Sequence, residues 1–282
     1  MIEYKLNNGI TIPSVGIGTF LLEPPDAENS VREALKMGYR LIDTAAMYCN
    51  ERAVGRGIRS SGVPREEIFV STKIWPTEYE NPHAVEDCLE RLGLDHVELM
   101  FLHHACKDYI AGYRLLEKAY QEGKIKAIGL SNFEGEPLQR ILKIAKILPH
   151  VNQVECHPLF PQEELRKVSD PLGMKIMSWF PLGGVKNKAL LLENPLIKEI
   201  AEKHHKSIAQ IILRWHVQMG FIVIPGSKNV SHIKDNISLF DFALDEIDME
   251  KMASLNRHEM IHPRTEEALA RYAALYPKYE TE

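Results

Sequence analysis

Three stretches decide the fold: Tyr39-Arg40-Leu41-Ile42-Asp43, Ile68-Phe69-Val70-Ser71-Thr72-Lys73 and Leu99-Met100-Phe101-Leu102-His103. Each is a strand-length apolar run closed by a polar or titratable side chain. The closing residues Asp43, Lys73 and His103 fall at even intervals of thirty residues. Each run is followed by a stretch of helical periodicity. Three strand–helix units with polar strand ends predict a (β/α)8 TIM barrel whose site lies at the C-terminal mouth of the strands. An acid, an amine and an imidazole would meet there, with Tyr48 just beyond the second strand.

Working outward, residues 2–13 read as a hairpin around Asn8-Gly9, placed to plug the barrel bottom. Strands are expected at 14–18, up to Asp43, and at 68–73, 97–103, 125–130, 151–155, 174–179 and 221–224. Helices are expected at 26–37, 50–60, 81–92, 111–122, 134–146 and 162–169, with a helical pair over 195–218. Residues 181–194 read as an insertion, and 229–237 and 245–255 as extra C-terminal helices. Eight alternations of this size are what a closed parallel barrel needs.

The 282 residues and 45% hydrophobic content suit one large α/β barrel or two smaller domains. No linker or low-complexity tract divides the chain, so one domain over 1–282 is expected, with 256–282 as a tail on the substrate side. A net charge of -5 without a Lys/Arg-rich stripe argues against nucleic acid. The apolar runs are strand-sized, which argues against a membrane span. The start of the chain lacks a signal-peptide core. Cys49, Cys88, Cys106 and Cys156 form no CxxC pair, so free thiols in a reducing cytoplasm are expected. Nothing calls for more than a monomer.

The chemistry follows from four side chains. A phenol is a poor acid, with a pKa of about 10. A nearby ammonium lowers that value, and Lys73 is placed to supply it. Asp43 can keep Lys73 charged, and His103 can hydrogen-bond a substrate oxygen or relay a proton. The set makes a general acid aimed at an oxygen that gains negative charge, as in carbonyl reduction by hydride. Singly, each residue is ordinary: a paired strand-end charge, a packing tyrosine, a bonded core histidine. Their shared register favours function.

The chain resembles the aldo-keto reductase family over nearly its whole length. The resemblance rests on Gly16-Ile17-Gly18-Thr19, Asp43-Thr44-Ala45 with Tyr48 and Asn50-Glu51, and Ser71-Thr72-Lys73-Ile74-Trp75. It continues in Arg91-Leu92-Gly93-Leu94-Asp95, Gly129-Leu130-Ser131-Asn132-Phe133 and Asn152-Gln153-Val154-Glu155 with His157-Pro158. Pro181-Leu182-Gly183, Ile224-Pro225-Gly226-Ser227 and Asp241-Phe242 complete it. The resemblance implies NADPH-dependent reduction of aldehydes and ketones, reversible to alcohol oxidation, with NAD as the alternative cofactor. It implies Tyr48 as proton donor, tuned by Asp43 and Lys73, with His103 orienting a small-molecule carbonyl substrate.

On the cofactor side it implies Ser131, Asn132 and Gln153 at the nicotinamide carboxamide and Trp179 stacked on the ring. Gly18, Thr19, Leu182, Gly183, Ser227, Lys228, His232 and Asn236 would complete the dinucleotide site. No GxGxxG follows a strand, which argues against a Rossmann site. Ser131 and Asn132 could instead cap the following helix.

Three departures from the family stand out. His104 and Ala105 replace its common Trp-Pro. His104 follows His103 directly, so strand alternation would turn the two to opposite faces, leaving His104 outside the immediate acid site. Gly226 and His232 replace a Lys and an Arg that grip the adenosine 2′-phosphate, with Lys228 placed to compensate. Phe20 stands where a Trp is common, and with Trp75 it predicts an aromatic substrate pocket, to which His104 also belongs.

His258-Glu259-Met260-Ile261-His262 matches the HExxH pattern of zinc hydrolases. That chemistry needs both imidazoles on one helical face, and Pro263 biases His262 away from helix. No metal is expected. Two other rivals are a nucleotide-binding barrel with little catalysis and a Schiff-base aldolase through Lys73. A lysine paired with a carboxylate is a poor nucleophile.

Overall fold

The computed structural model describes residues 1–187 and 189–280. Strands β1 (Glu3–Lys5) and β2 (Thr11–Pro13) pair antiparallel, with the Asn8-Gly9 turn between them. Eight parallel strands follow in chain order: β3 (Ile17–Gly18), β4 (Leu41–Asp43), β5 (Phe69–Ile74), β6 (Leu99–Leu102), β7 (Ile128–Ser131), β8 (Val151–Glu155), β9 (Lys175–Trp179) and β10 (Ile222–Val223). Each pairs with its sequence neighbour. The ring closes where Val15 bridges Val223 in parallel, with Gly16 N donating to Val223 O at 2.8 Å and Val223 N to Ser14 O at 2.9 Å. The expected (β/α)8 barrel is the observed fold.

Strand alternation sorts the side chains into two cores. Ile42, Val70, Met100, Leu102, Ile128 and Leu130 face outward and pack on the helices. Leu41, Phe69, Leu99, Phe101, Val151, Met177 and Ile222 face inward. Leu6 and Ile12 of the hairpin join the inner set, so the hairpin plugs the bottom. Gly129 leaves room for Phe101 within the barrel: a Cβ there would lie 2.2 Å from the Phe101 ring. The same parity carries Asp43, Ser71, Lys73 and Gln153 inward at the opposite end. The register sets Asp43 against Ser71, Lys73 against Phe101, and Ser131 against Gln153.

Several boundaries differ from expectation. The first helix begins at Pro24, because proline fits the first helical turn, where no N–H partner is needed. The helix expected from residue 81 begins at Ala84, since Asn81 accepts a bond from His83 N in a turn that holds Pro82. β5 continues one residue beyond Lys73, to Ile74. The 181–194 insertion holds two short helices, Gly184–Asn187 and Ala189–Leu192; Lys188 lies outside the described residues. The tail carries a helix that the sequence reading lacks, Glu266–Ala274, whose N-cap Thr265 accepts from Ala268 N at 3.1 Å. No described helix is long and apolar enough to cross a membrane.

Candidate active site

The inward parity of β4 and β5 brings Asp43 and Lys73 together at the barrel mouth, both shut off from solvent. Lys73 Nζ donates to Asp43 Oδ2 and to Thr44 O, each at 2.7 Å. The other carboxylate oxygen, Oδ1, accepts from Ser71 Oγ at 2.8 Å and from Gln153 Nε2 at 2.9 Å. Every charged atom of this buried pair is therefore satisfied, as low dielectric requires. Burial alone would push the Lys73 ammonium down, but the Asp43 carboxylate and the Tyr48 phenol outweigh it and hold the amine protonated. A protonated amine is no Schiff-base nucleophile.

Tyr48 ends the short 3-10 turn Ala46–Tyr48 that follows β4. Lys73 Nζ lies 4.8 Å from its ring centroid. Burial raises the phenol's pKa, and the Lys73 ammonium offsets this only in part, so the net shift is upward. The expected lowering is thus overturned: desolvation of the phenolate costs more than the ammonium returns.

His103 stands just past the end of β6 and meets Tyr48 edge-on, with ring centroids 5.8 Å apart. Burial, then His104 and the Lys73 charge, push it well below its usual value, so the ring is neutral. Its Nδ1 is buried without a partner among the described residues. His104 corrects the expectation from alternation. β6 stops at Leu102, so the rule no longer applies, and the two imidazoles stack 4.8 Å apart at 4°. His104 also stacks on Tyr272 of the tail at 4.3 Å. Burial, Arg264 and Lys73 lower its pKa to about 3.

These groups open onto a cavity of about 920 Å³. Gly18, Phe20, Asp43, Tyr48, Trp75, His103, His104, Ser131, Asn132, Gln153, Trp179, Leu182 and Lys228 all reach its wall. Phe180 and the tail residues Arg264, Tyr272 and Leu275 line it too. The tail 256–282 was expected on the substrate side; these three residues enter the pocket from it through contacts distant in sequence. The pocket also draws on the loops after β9 and β10.

Other sequence candidates lie off the wall. Thr19 is buried behind it, with Oγ1 donating to Asp43 O at 3.2 Å. Ser227 Oγ accepts from Asn229 N at 3.1 Å in the turn that opens the next helix. His232 and Asn236 sit on that helix, Val230–Ile237, and Gly183 presents its carbonyl to His262.

Ser131 and Asn132 do not cap the helix Gly135–Ile144, whose N-cap is Glu134. Asn132, at φ 64°, turns its side chain into the site instead. Its Nδ2 donates to His103 O at 3.0 Å and Ser131 Oγ at 3.1 Å. Its Oδ1 accepts from Trp179 Nε1 at 3.0 Å and Arg264 Nη1 at 2.9 Å. The HExxH match is not helical. His258 is exposed at φ 56°, while His262 packs against Trp179 and Phe180, so the two imidazoles share no helical face. Among the described residues no group of three His, Cys, Asp or Glu could hold a metal ion.

Comparison with known proteins agrees with this geometry. The family model described as "Aldo/keto reductase family" matches residues 14–257. The glyoxal reductase of Bacillus subtilis (strain 168) is 46% identical over 270 residues, covering 94% of this chain and 96% of that protein. The 9,11-endoperoxide prostaglandin H2 reductase of Trypanosoma cruzi (strain CL Brener) is 43% identical, covering 91% and 92%. A crystal structure of an aldo-keto reductase from a Medee basin deep-sea metagenome library superposes with a TM-score of 0.90 at 41% identity, covering 94% of this chain and 98% of that one. With a (β/α)8 barrel, a polar site at its mouth and relatives along more than nine-tenths of its length, the chain belongs to the aldo/keto reductase family of carbonyl-reducing oxidoreductases.

Proposed function

We propose that the protein reduces aldehydes and ketones with NADPH, and that Tyr48 is the proton donor. The observation that carries this is the solvent-excluded Lys73–Asp43 pair beside Tyr48 at the floor of the cavity. Tyr48 keeps its proton at neutral pH and has a fixed cation beside it, so it can give the proton only as negative charge builds on a nearby oxygen. Lys73 then stabilises the phenolate left behind. His103, neutral, gives one ring N–H to the carbonyl oxygen and holds it near the phenol. Asp43 keeps Lys73 protonated and in place.

The residues present fit a nicotinamide dinucleotide. Gln153 commits Nε2 to Asp43 and to Met177 Sδ, both at 2.9 Å, which turns Oε1 into an acceptor for a carboxamide N–H. Ser131 Oγ accepts from Asn132, leaving its O–H to donate to a carboxamide oxygen. Trp179 offers a ring face at the same wall. Gly18 at the end of β3 and Gly226 in the loop after β10 approach so closely that a Cβ on Gly226 would lie 2.7 Å from Gly18 O, which keeps the backbone open as a cradle. When bound, a reduced nicotinamide supplies the hydride that adds to the carbonyl carbon, while the C=O electron pair moves to oxygen and takes the Tyr48 proton. Lys228, exposed and 3.2 Å from Asp26, is a cation at the wall, on the loop after β10, and supports NADP over NAD.

Phe20, Trp75, Phe180 and Tyr272 give the cavity aromatic walls, which suit a carbonyl carried on an apolar or aromatic group. The name of the Bacillus subtilis relative supports aldehydes as substrates. A single-chain active site in the cytoplasm completes the reading. The test is loss of reduced-nicotinamide absorbance with an aromatic aldehyde, run with NADPH and with NADH. Turnover favouring NADPH, and a lost preference in Lys228→Met, is the expected result. No turnover with either cofactor across aldehydes and ketones would overturn the reading.

A further inference from the structure

We infer that Arg264, on the C-terminal tail, is a positioning residue for the nicotinamide carboxamide site, acting through Asn132. The inference rests on the reading of Ser131, Asn132 and Gln153 as that site. A free asparagine amide can rotate to exchange its oxygen and nitrogen, and its use in recognition depends on what fixes it. Here Asn132 is fixed from both ends. On the nitrogen side, Nδ2 faces His103 O and Ser131 Oγ, with His104 Nδ1 at 3.3 Å. On the oxygen side, Arg264 Nη1 and Trp179 Nε1 both donate to Oδ1.

Arg264 is itself locked. Its Nη2 meets Glu134 Oε1 at 2.6 Å, and the Arg264 side chain is only 14% exposed. One planar guanidinium thus spans Asn132 and Glu134 with separate donors, a task its rigid fork suits. Ser131, Asn132 and Trp179 hang from this one contact network, so the tail that borders the substrate also sets the orientation of the amide next to the nicotinamide.

The contact does not serve simply to fasten the tail. Glu155, fully buried, accepts from Ile261 N at 2.5 Å and His262 N at 3.0 Å. Trp75 Nε1 donates to Leu275 O at 2.7 Å, and Glu280 accepts from Ala53 N at 3.1 Å. These three anchors bracket Arg264 and are independent of it. Removing the guanidinium should leave the tail docked while freeing Asn132 to rotate.

The test is calorimetric titration of the purified full chain with NADPH and with 2′-phospho-ADP-ribose, which lacks the nicotinamide. The proteins are wild type, Asn132→Ala, Arg264→Met, Arg264→Lys, the double variant Asn132→Ala/Arg264→Met, and Arg257→Met as an exposed control. The expected result is NADPH affinity about tenfold weaker in Asn132→Ala and Arg264→Met, with fragment affinity within twofold of wild type. The double variant should be no weaker than Asn132→Ala alone, because Arg264 acts only through that amide. Arg257→Met should match wild type. If Arg264→Met fails to fold, Arg264→Lys carries the test, since it keeps the charge and loses the fork; NADPH affinity below wild type is expected.

NADPH affinity weakened in Asn132→Ala but unchanged in the Arg264 variants would overturn this inference alone. Equal loss of NADPH and fragment affinity in Arg264→Met would overturn it too, by showing general damage. Unchanged NADPH affinity in Asn132→Ala would overturn the carboxamide reading beneath it.

Discussion

Lys73 Nζ lies 2.7 Å from Asp43 Oδ2, and the two side chains are 0% and 1% exposed. Such a pair stabilises little in net terms, because desolvation of both ions offsets their attraction; removing one partner is what costs. Lys73→Met should therefore lower unfolding free energy by about 3–5 kcal/mol, as Asp43 is left buried and unpaired. The double replacement Asp43→Leu/Lys73→Met should lose less than the sum of the singles. Urea melts of the four proteins check both statements, and additive losses would count against an isolated buried pair.

The upward shift of Tyr48 fixes a pH profile. Reduction needs the phenol protonated, and a phenol above its usual value stays so through neutral and mildly alkaline pH. His103 is lowered well below its usual value and does not gain a proton near neutrality. The reduction rate on enzyme saturated with cofactor should therefore be flat from about pH 6 to about pH 9. A break near pH 6–7 would assign an imidazolium to the chemistry, and one near pH 8 a phenol lowered by Lys73.

Acid should weaken the fold through its buried neutral imidazoles. His216 is 0% exposed, and burial lowers its pKa to about 4, against an ordinary 6.5. Between those values the unfolded chain holds a proton that the folded chain rejects. Stability therefore rises with pH from about 4 to about 6.5 and then levels off. This residue contributes on the order of 1–3 kcal/mol to that rise. His216→Phe should flatten the slope between pH 4.5 and 6.5 in denaturant titrations, whatever it does to stability at pH 7. An unchanged slope would remove His216 as a source.

Gly226→Ala should impair the dinucleotide cradle. The added Cβ would sit 2.7 Å from Gly18 O, a backbone atom that can yield only if the loop after β10 moves away from the end of β3. A loss of about 1–3 kcal/mol in stability, with several-fold weaker cofactor affinity, is expected. Gly62→Ala serves as the comparison: its Cβ would meet nothing, although its φ of 78° keeps the backbone strained. Cofactor affinity should be unchanged there.

Much of the barrel was legible because its signals are local. Period-two alternation places Leu41 and Asp43 on one face and Ile42 on the other, and that parity alone predicts which side chains meet at the mouth. The Asp43 and Lys73 pairing follows from it; the Gln153 contact with Asp43 is what the structure adds. What alternation could not give was behaviour past a strand end. His104 stacks beside His103 because β6 stops at Leu102, a boundary set by where pairing with β7 stops rather than by the residues themselves. The tail was unreadable for a related reason: Arg264, Tyr272 and Leu275 reach the site through contacts 130 to 200 residues away in sequence, which no local pattern encodes. The sign of the Tyr48 shift depends on the amount of protein around the hydroxyl, which no spacing encodes.

The central claim is that Tyr48 delivers the proton. Its most direct test is single-turnover reduction of an aromatic aldehyde by wild type and Tyr48→Phe, each saturated with NADPH, with cofactor affinity measured on the same samples. A fall of at least about 100-fold in rate with cofactor affinity held within twofold is the result this account predicts. Tyr48→Phe turning over at near the wild-type rate would contradict it and return the proton to another group.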